Sequence, residues 1–556
     1  MPSPSPSPSP TSPAPARADS AGSAGPLNKV LGWFRRLLTA DSLPRTLVPS
    51  ILLGVGLTIT PNALLLHGNR FDIAEQGPFI VGFLVAGTVA GLLVLLLSRF
   101  IAPHVAGGLV GAFGYGFFSL SWVPNHVGIL TLVSFWILTG MVFATIMIWL
   151  LSNSRTMVTI AGVAITGLTA VLIGTSLVAT GITEVDGSAN EIPTALAFSE
   201  TPEVRPNVYI FVLDGFSNPD TTTTQFAEHD IAFDIDDSID NLEGLGFERD
   251  EHATSNYGQT ILSLPSTFNG VYHHTADEPL TLAEVANRGT TAIRGDNALV
   301  HSLRAIGYEF WYSDSDVWAP SSCDPQLADR CLGQASGNGE STRAVWGDSP
   351  LRWQLGLQSL ADLSSPTSVV EEIIEERAVR TSESPYFAFA HIISPHQPYR
   401  YEPDCSLRAQ GSPGTRLTYG FRPEFRPLYA EQAACLGQDL VSAMDRLIEI
   451  DPTALIFIQA DHGSEFEAIR DTADWPLAMA QERLSIFRAT YLPQECRSSD
   501  IAAESVINTA PVIVGCLTGE SPTLLEPRYF FTELEATEGR TNEGFDLFDT
   551  AANSGE

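Results

Sequence analysis

From Leu47 to Ile182 the chain is a series of long apolar stretches separated by short polar breaks. Each stretch is close to the roughly 20 residues that a bilayer-spanning helix needs. Five can be marked, at about Leu47–Leu66, Pro78–Leu97, Val105–Trp122, Ile129–Leu151 and Met157–Ile182. Interior glycines recur in them, as in membrane helices, and Gly111-Ala-Phe-Gly-Tyr-Gly-Phe-Phe makes the third the poorest helix former. Beyond Ile182 the apolar runs shorten to strand length. Asn207-Val-Tyr-Ile-Phe-Val-Leu-Asp214-Gly, Tyr386-Phe-Ala-Phe-Ala-His391 and Ala454-Leu-Ile-Phe-Ile-Gln-Ala-Asp461-His462-Gly are apolar without alternation, which predicts strands covered on both faces. The expected fold is an N-terminal all-α transmembrane bundle of five helices, followed by an α/β domain with a mostly parallel central sheet.

Two of these strands end on a potential metal ligand, Asp214 in one case and Asp461-His462 in the other. In open parallel sheets ligands sit at the carboxyl ends of the strands. Two separate segments that each deliver oxygen or imidazole donors to that edge point to one shared metal centre, and so to an enzyme.

The composition divides the chain further. Residues 1–43 hold a Pro/Ser/Ala tract and a basic segment, with too few apolar residues for a core, and read as a disordered cytoplasmic tail without the pattern of a cleavable signal peptide. Residues 44–182 are the membrane region, 183–205 a polar linker, 206–520 the catalytic domain and 521–556 an acidic C-terminal tail. Lys29, Arg35, Arg36 and Arg45 precede the first span, Arg99 and His104 lie between the second and third, and Arg155 lies between the fourth and fifth. The positive-inside rule then puts the N-terminus in the cytoplasm and everything after Ile182 outside, as in a multi-pass protein of the plasma (inner) membrane. Segment Lys29–Leu38 reads either as an amphipathic stretch on the inner surface or as a basic stop before the first span.

Cysteine usage supports that topology independently. All six cysteines follow the last span, and the preference for short loops pairs Cys323 with Cys331, Cys405 with Cys435 and Cys496 with Cys516, in an oxidising compartment. The formal net charge is −34, nearly all of the acid lies after residue 182, and Lys29 is the only lysine. Such a surface repels nucleic acid and suits anionic lipid poorly.

The outer domain contains the remaining chemistry. Thr260 is followed closely by Ile261, Leu262, Leu264 and Phe268, which places its hydroxyl at a helix start, either as a simple N-cap or facing an anion held by free amides and the helix dipole. His396 follows the third strand in a Pro-bearing loop and is placed to donate to an anionic substrate, whereas His391, inside the apolar run, reads as a core histidine. Gly463 lets the chain turn so that Asp461 and His462 can serve one cation.

In this order, strand-Asp214-Gly, Thr260 before a helix ending in a Gly turn, His391-x-x-x-Pro-His396-x-Pro-Tyr399 and Ala-Asp461-His462-Gly, the chain resembles the alkaline phosphatase/sulfatase superfamily over about residues 206–495. With five spans ahead of an extracytoplasmic domain it looks like the group of lipoteichoic acid synthases and phosphoglycerol and phosphoethanolamine transferases. The resemblance implies that Asp214, Thr260, Asp461 and His462 bind one divalent metal, that Thr260 is the nucleophile and that His396 contacts substrate. Ligand type does not decide among Mn²⁺, Zn²⁺ and Mg²⁺. Segment Glu482–Pro493 resembles the next core strand of the family, with no catalytic role carried onto it.

The departures narrow the reading. Leu264 stands four residues after Thr260, where sulfatases that mature a Cys or Ser to formylglycine carry Arg, and an active-site lysine is lacking because Lys29 lies across the membrane. No full second metal set is evident, His273 and His274 being the best spare candidates. The activity expected is transfer of a phospholipid head group, phosphoglycerol or phosphoethanolamine, through a phospho-threonine to a glycan, lipid or water. Hydrolysis of a phosphate or sulfate ester and a catalytically inactive membrane scaffold are the alternatives.

Overall fold

The computed structural model describes residues 47–69, 73–119, 155–182 and, with interruptions of which 333–364 is the longest, 192–541. Its main sheet has seven strands: β1 (Val208–Leu213), β2 (Glu248–Arg249), β3 (Glu309–Ser313), β4 (Arg330–Leu332), β5 (Tyr386–Ile392), β6 (Leu455–Ala460) and β7 (Arg488–Tyr491), in the order β2-β7-β6-β1-β5-β3-β4. The pairs β6–β1, β1–β5, β5–β3 and β3–β4 are parallel, and β7 joins β6 and β2 antiparallel. The domain built on this sheet is thus an α/β domain with a mixed, mostly parallel sheet.

The continuous apolar runs are explained by two cores. Along β1, Tyr209, Phe211 and Leu213 enter one core and Val208, Ile210 and Val212 the other, so every position of the strand is buried. In chain order the helices of this domain are α5 (Pro219–Ala227), α6 (Asp236–Gly244), α7 (Thr260–Asn269), α8 (Leu282–Ile293), α9 (Ala298–Ala305), α10 (Ser368–Val379), α11 (Arg426–Ile450), α12 (Leu477–Leu484) and α13 (Thr509–Thr518), numbered after the four N-terminal helices described below. Helix α11 covers the first face with Tyr429, Ala433, Leu436, Leu440, Ala443 and Leu447, a stripe at helical spacing. Helix α7 covers the second with Leu262, Leu264 and Phe268.

All three expected disulfides are present, Cys323–Cys331, Cys405–Cys435 and Cys496–Cys516. Past Glu520 the chain still packs on the domain: Phe530 is fully buried, stacks on Tyr257 and donates its amide to Asn256 O. Ahead of the sheet, Leu196 is likewise buried in the second core.

Four of the five expected apolar stretches coincide with helices α1 (Leu47–Asn69), α2 (Ile73–Leu97), α3 (Pro103–Ser119) and α4 (Arg155–Ile182), the third as far as Ser119, where the described residues stop. The stretch Ile129–Leu151 and the tail 1–43 lie outside the described residues. Helix α1 packs closely on α3 and α4: a Cβ at Gly107 would meet Ser50 O at 2.3 Å, and one at Gly162 would meet Pro49 O at 2.5 Å. Thr60 and Thr169 share a 2.9 Å hydrogen bond between α1 and α4. Among the described residues no helix is long and apolar enough to cross a membrane. Described side chains on α2 extend only from Val81 to Leu97 and on α4 only from Thr159 to Gly174. On these helices large apolar side chains face outward, among them Val81, Leu84, Phe113 and Leu168.

Candidate metal centre

Register brings the carboxyl ends of β1 and β6 together. In the β1–β6 pair Leu213 is opposite Ala460, so Asp214 and Asp461, each one residue further, emerge side by side at the carboxyl edge. Both chains then turn sharply. Gly215 has φ of 70°, and at Gly463 a Cβ would lie 2.0 Å from Glu482 O, so only glycine fits there.

Asp214, Asp461 and His462 are buried, and one ligand atom from each lies within 4.8 Å of the others. Asp461 Oδ1 accepts from the amides of Gly215 at 3.1 Å and His462 at 2.9 Å, which fixes that carboxylate. His462 Nδ1 donates to Gly463 O at 3.0 Å, which leaves the Nε2 lone pair directed into the cluster. Nε2 is 3.3 Å from Asp461 Oδ2, 3.7 Å from Asp214 Oδ1 and 3.1 Å from Thr260 Oγ1. Thr260 opens α7 after Gln259 in extended conformation, as expected of a hydroxyl at a helix start.

The electrostatics of this arrangement are unfavourable to the protein alone. Asp214 Oδ1 and Asp461 Oδ2 are buried without any hydrogen-bond partner, although most buried polar atoms have one. Burial, and then the Asp461 charge, push the Asp214 carboxyl well above the usual range, with the Arg483 guanidinium acting the other way. Burial, Arg483 and His396 hold His462 well below its ordinary value, so its imidazole is neutral near pH 7. Two partnerless carboxylate oxygens, a neutral imidazole lone pair and a hydroxyl converging on one point form a donor set that fits a divalent cation.

The remaining expected residues are distributed as follows. His396 donates its amide to Asp214 O at 3.0 Å, and its ring Nδ1 bonds Gln397 O at 2.7 Å, so its loop is tied to Asp214. Burial lowers the His396 pKa, with Arg483 adding to the effect. His391 is fully buried, as a core histidine should be, yet its Nε2 also faces Asp214 Oδ2 at 3.7 Å while Nδ1 bonds Ser321 at 2.9 Å. Burial takes its pKa down to about 4. His273 bonds Ser266 and stacks on Tyr257, and it does not join the cluster; His274 lies outside the described residues. Among the described residues Asp214, Asp461 and His462 form the one such ligand group.

Glu482 and Arg483 open the segment to which the resemblance assigned no catalytic role, yet both bond residues that follow His462. Arg483 Nη1 donates to Gly463 O at 2.6 Å, the same carbonyl that receives His462 Nδ1. Glu482 Oε1 accepts from Ser464 Oγ and from the amide of Phe466, both at 2.7 Å.

No protein-family profile and no curated protein matches the chain. Among solved structures it aligns with the C-terminal periplasmic domain of phosphoethanolamine transferase EptC from Campylobacter jejuni at 11% identity, over 56% of this chain and 89% of that one, with a TM-score of 0.37. The corresponding Escherichia coli EptC domain in complex with Zn aligns at 10% identity, over 61% and 93%, with a TM-score of 0.39. The integral membrane lipooligosaccharide phosphoethanolamine transferase A from Neisseria meningitidis aligns at 11% identity, over 88% of both chains, with a TM-score of 0.36. Likeness at these scores and identities assigns neither a family nor an activity to this chain.

Proposed function

We propose that the protein is a membrane-bound, metal-dependent phosphotransferase that moves a phospholipid head group, phosphoglycerol or phosphoethanolamine, to an envelope acceptor through Thr260. The observation that carries this reading is the placement of Thr260 Oγ1 3.1 Å from His462 Nε2, beside two carboxylates whose free oxygens are buried. A hydroxyl at an N-cap needs no such company.

Asp214, Thr260, Asp461 and His462 would hold one divalent ion, with Mn²⁺, Zn²⁺ and Mg²⁺ all compatible. Such an ion, when bound, lowers the proton affinity of a hydroxyl and offsets charge on phosphoryl oxygens. Thr260 Oγ1 attacks phosphorus, forming the threonine–phosphorus bond as the bond to the diacylglycerol oxygen breaks, and the threonine proton ends on that leaving oxygen. The start of α7 directs backbone amides and the positive end of the helix dipole at the non-bridging oxygens. His396, tied to Asp214 through its amide, takes the role of substrate contact. A hydroxyl of a glycan, a lipid or water then attacks phosphorus, the bond from Thr260 Oγ1 to phosphorus breaks, and the proton of the attacking hydroxyl ends on Oγ1, which restores the free side chain.

The N-terminal helices fit a lipid donor. Their closely packed interior and outward apolar side chains suit an apolar surround, and the five-span topology holds the catalytic domain at the outer face of the plasma (inner) membrane. The three disulfides accord with that oxidising side. The test is diacylglycerol release from phosphatidylglycerol or phosphatidylethanolamine vesicles by the full-length protein with Mn²⁺ or Zn²⁺. Release by wild type and none by Thr260→Ala is expected; release by both would rule out Thr260 as nucleophile.

A further inference from the structure

The end of helix α12 and Ser485 after it hydrogen-bond the loops of the site without contributing a ligand. Four consecutive carbonyls each accept a hydrogen bond from a site loop: Glu482 O from Ser217 Oγ at 3.0 Å, Arg483 O from Gly463 N at 2.7 Å, Leu484 O from Ser255 N at 2.8 Å and Ser485 O from Asn218 N at 3.0 Å. Ser217 and Asn218 follow Asp214, Gly463 follows His462, and Ser255 precedes Thr260. The segment therefore fastens all three ligand-bearing loops to one another.

Ser255 extends the fastening, since its hydroxyl bonds Asp461 O at 2.5 Å and Ser263 of α7 at 3.1 Å. Within this arrangement Arg483 stands apart. It is nine-tenths buried, and it closes a reciprocal pair with Gly463: the Gly463 amide donates to Arg483 O while Nη1 donates to Gly463 O at 2.6 Å. Because His462 Nδ1 donates to the same carbonyl, the orientation of that carbonyl determines where Nε2 points.

We propose that Arg483 is a positioning residue of the metal centre: it anchors the Gly463 carbonyl and thereby keeps the His462 ring turned with Nε2 toward Thr260 and the two carboxylates. The proposal deepens the function given above and rests on it for its catalytic meaning. Partners that orient a metal-ligating histidine through its other nitrogen act in this way, and their loss typically costs about 10- to 100-fold in metal affinity or activity.

The sign of the effect separates positioning from charge. A buried guanidinium beside a cation repels it, so removing Arg483 for electrostatic reasons alone would tighten metal binding. Loss of positioning weakens it. Zn²⁺ affinity is therefore measured by competition with a chelating dye on full-length wild type, Arg483→Met and Arg483→Lys, alongside the melting temperature of each metal-free protein. Arg483→Met should bind Zn²⁺ about 10-fold more weakly, and Arg483→Lys, which keeps the charge and one donor, should stay within about 3-fold of wild type. Equal or tighter Zn²⁺ binding by Arg483→Met would overturn the proposal. If Arg483→Met melts below the assay temperature, Arg483→Lys decides alone, and a 10-fold loss in a lysine variant that melts with wild type overturns it. Turnover of bis(4-nitrophenyl) phosphate is read in parallel. Its absence in wild type contradicts the proposed function, while the Zn²⁺ affinities still decide the role of Arg483.

Discussion

Thr260 Oγ1 meets His462 Nε2 at 3.1 Å, although the two residues are 202 positions apart in the chain. The contact exists because α7 begins over the carboxyl edge of the sheet, where β6 has just released the Asp461-His462 turn. It places a hydroxyl against the same atoms that a cation would need. Replacement of Thr260 by Ala should reduce head-group transfer by about a thousandfold or more, the scale of losing a nucleophile. Thr260→Ser should keep measurable transfer. Diacylglycerol release measured for the two variants checks this, and equal rates for Ala and Ser would contradict it.

Asp461 supplies a test in which stability and metal binding move in opposite directions. Its Oδ2 is buried, without a hydrogen-bond partner and 3.3 Å from His462 Nε2. Asp461→Asn puts an N–H donor there and removes a like charge from Asp214. The metal-free variant should therefore unfold about 1 kcal/mol less readily than wild type. It should also lose the rise in melting temperature that saturating Zn²⁺ gives wild type through linkage. Thermal melts with chelator and with Zn²⁺ read both effects. A variant that is less stable without metal and still stabilised by Zn²⁺ would contradict the assignment of Asp461.

Glu309 offers a pH test far from the centre. The Arg380 hydrogen bond, at 2.8 Å, holds its carboxyl below the ordinary range, with Trp311 contributing. A depressed folded-state pKa means the stabilisation is fully present above the unfolded value, near 4.5, and is lost as pH falls through the folded one. Glu309→Gln should then melt below wild type at pH 7 by an amount worth less than about 1 kcal/mol. The difference should shrink on acidification below pH 4.5. A gap that widens at low pH would contradict the pairing.

The disulfides differ in the loop they close. Cys405–Cys435 spans 30 residues and Cys323–Cys331 only 8. In the chain-entropy account, replacing the longer one by a pair of alanines should cost about 1 kcal/mol more than replacing the shorter. Denaturant melts of the two double variants check the order, and a larger loss for Cys323/Cys331 would contradict it.

The candidate cluster of Asp214, Asp461 and His462 was legible because a strand covered on both faces must be continuously apolar, so a charged residue at its end stands out. Asp214 and Asp461 carry that signal, and Gly215 and Gly463 add the turn. Their meeting depends on β1 and β6 being neighbours, which the pattern does not encode and the family resemblance only implied. His391 shows the limit from the other side. A histidine inside an apolar run reads as core, which it is, but its approach to Asp214 follows from the β1–β5 register that sets it opposite Val212. The contacts of Glu482–Ser485 with the site loops were not legible even though Glu482–Pro493 resembled a core strand, because four of them run through backbone carbonyls, which every residue possesses. The disulfide pairing was legible because each partner is the next cysteine along the chain.

A covalent intermediate on Thr260 would be visible in the intact mass of the protein. Full-length wild type and Thr260→Ala are incubated with phosphatidylglycerol or phosphatidylethanolamine vesicles and Mn²⁺ or Zn²⁺, then quenched in acid. An added mass of glycerol phosphate or ethanolamine phosphate is expected on wild type, mapped to Thr260, and none on Thr260→Ala. Absence of an adduct on wild type under both metals while diacylglycerol is released, or an adduct that persists in Thr260→Ala, would contradict it.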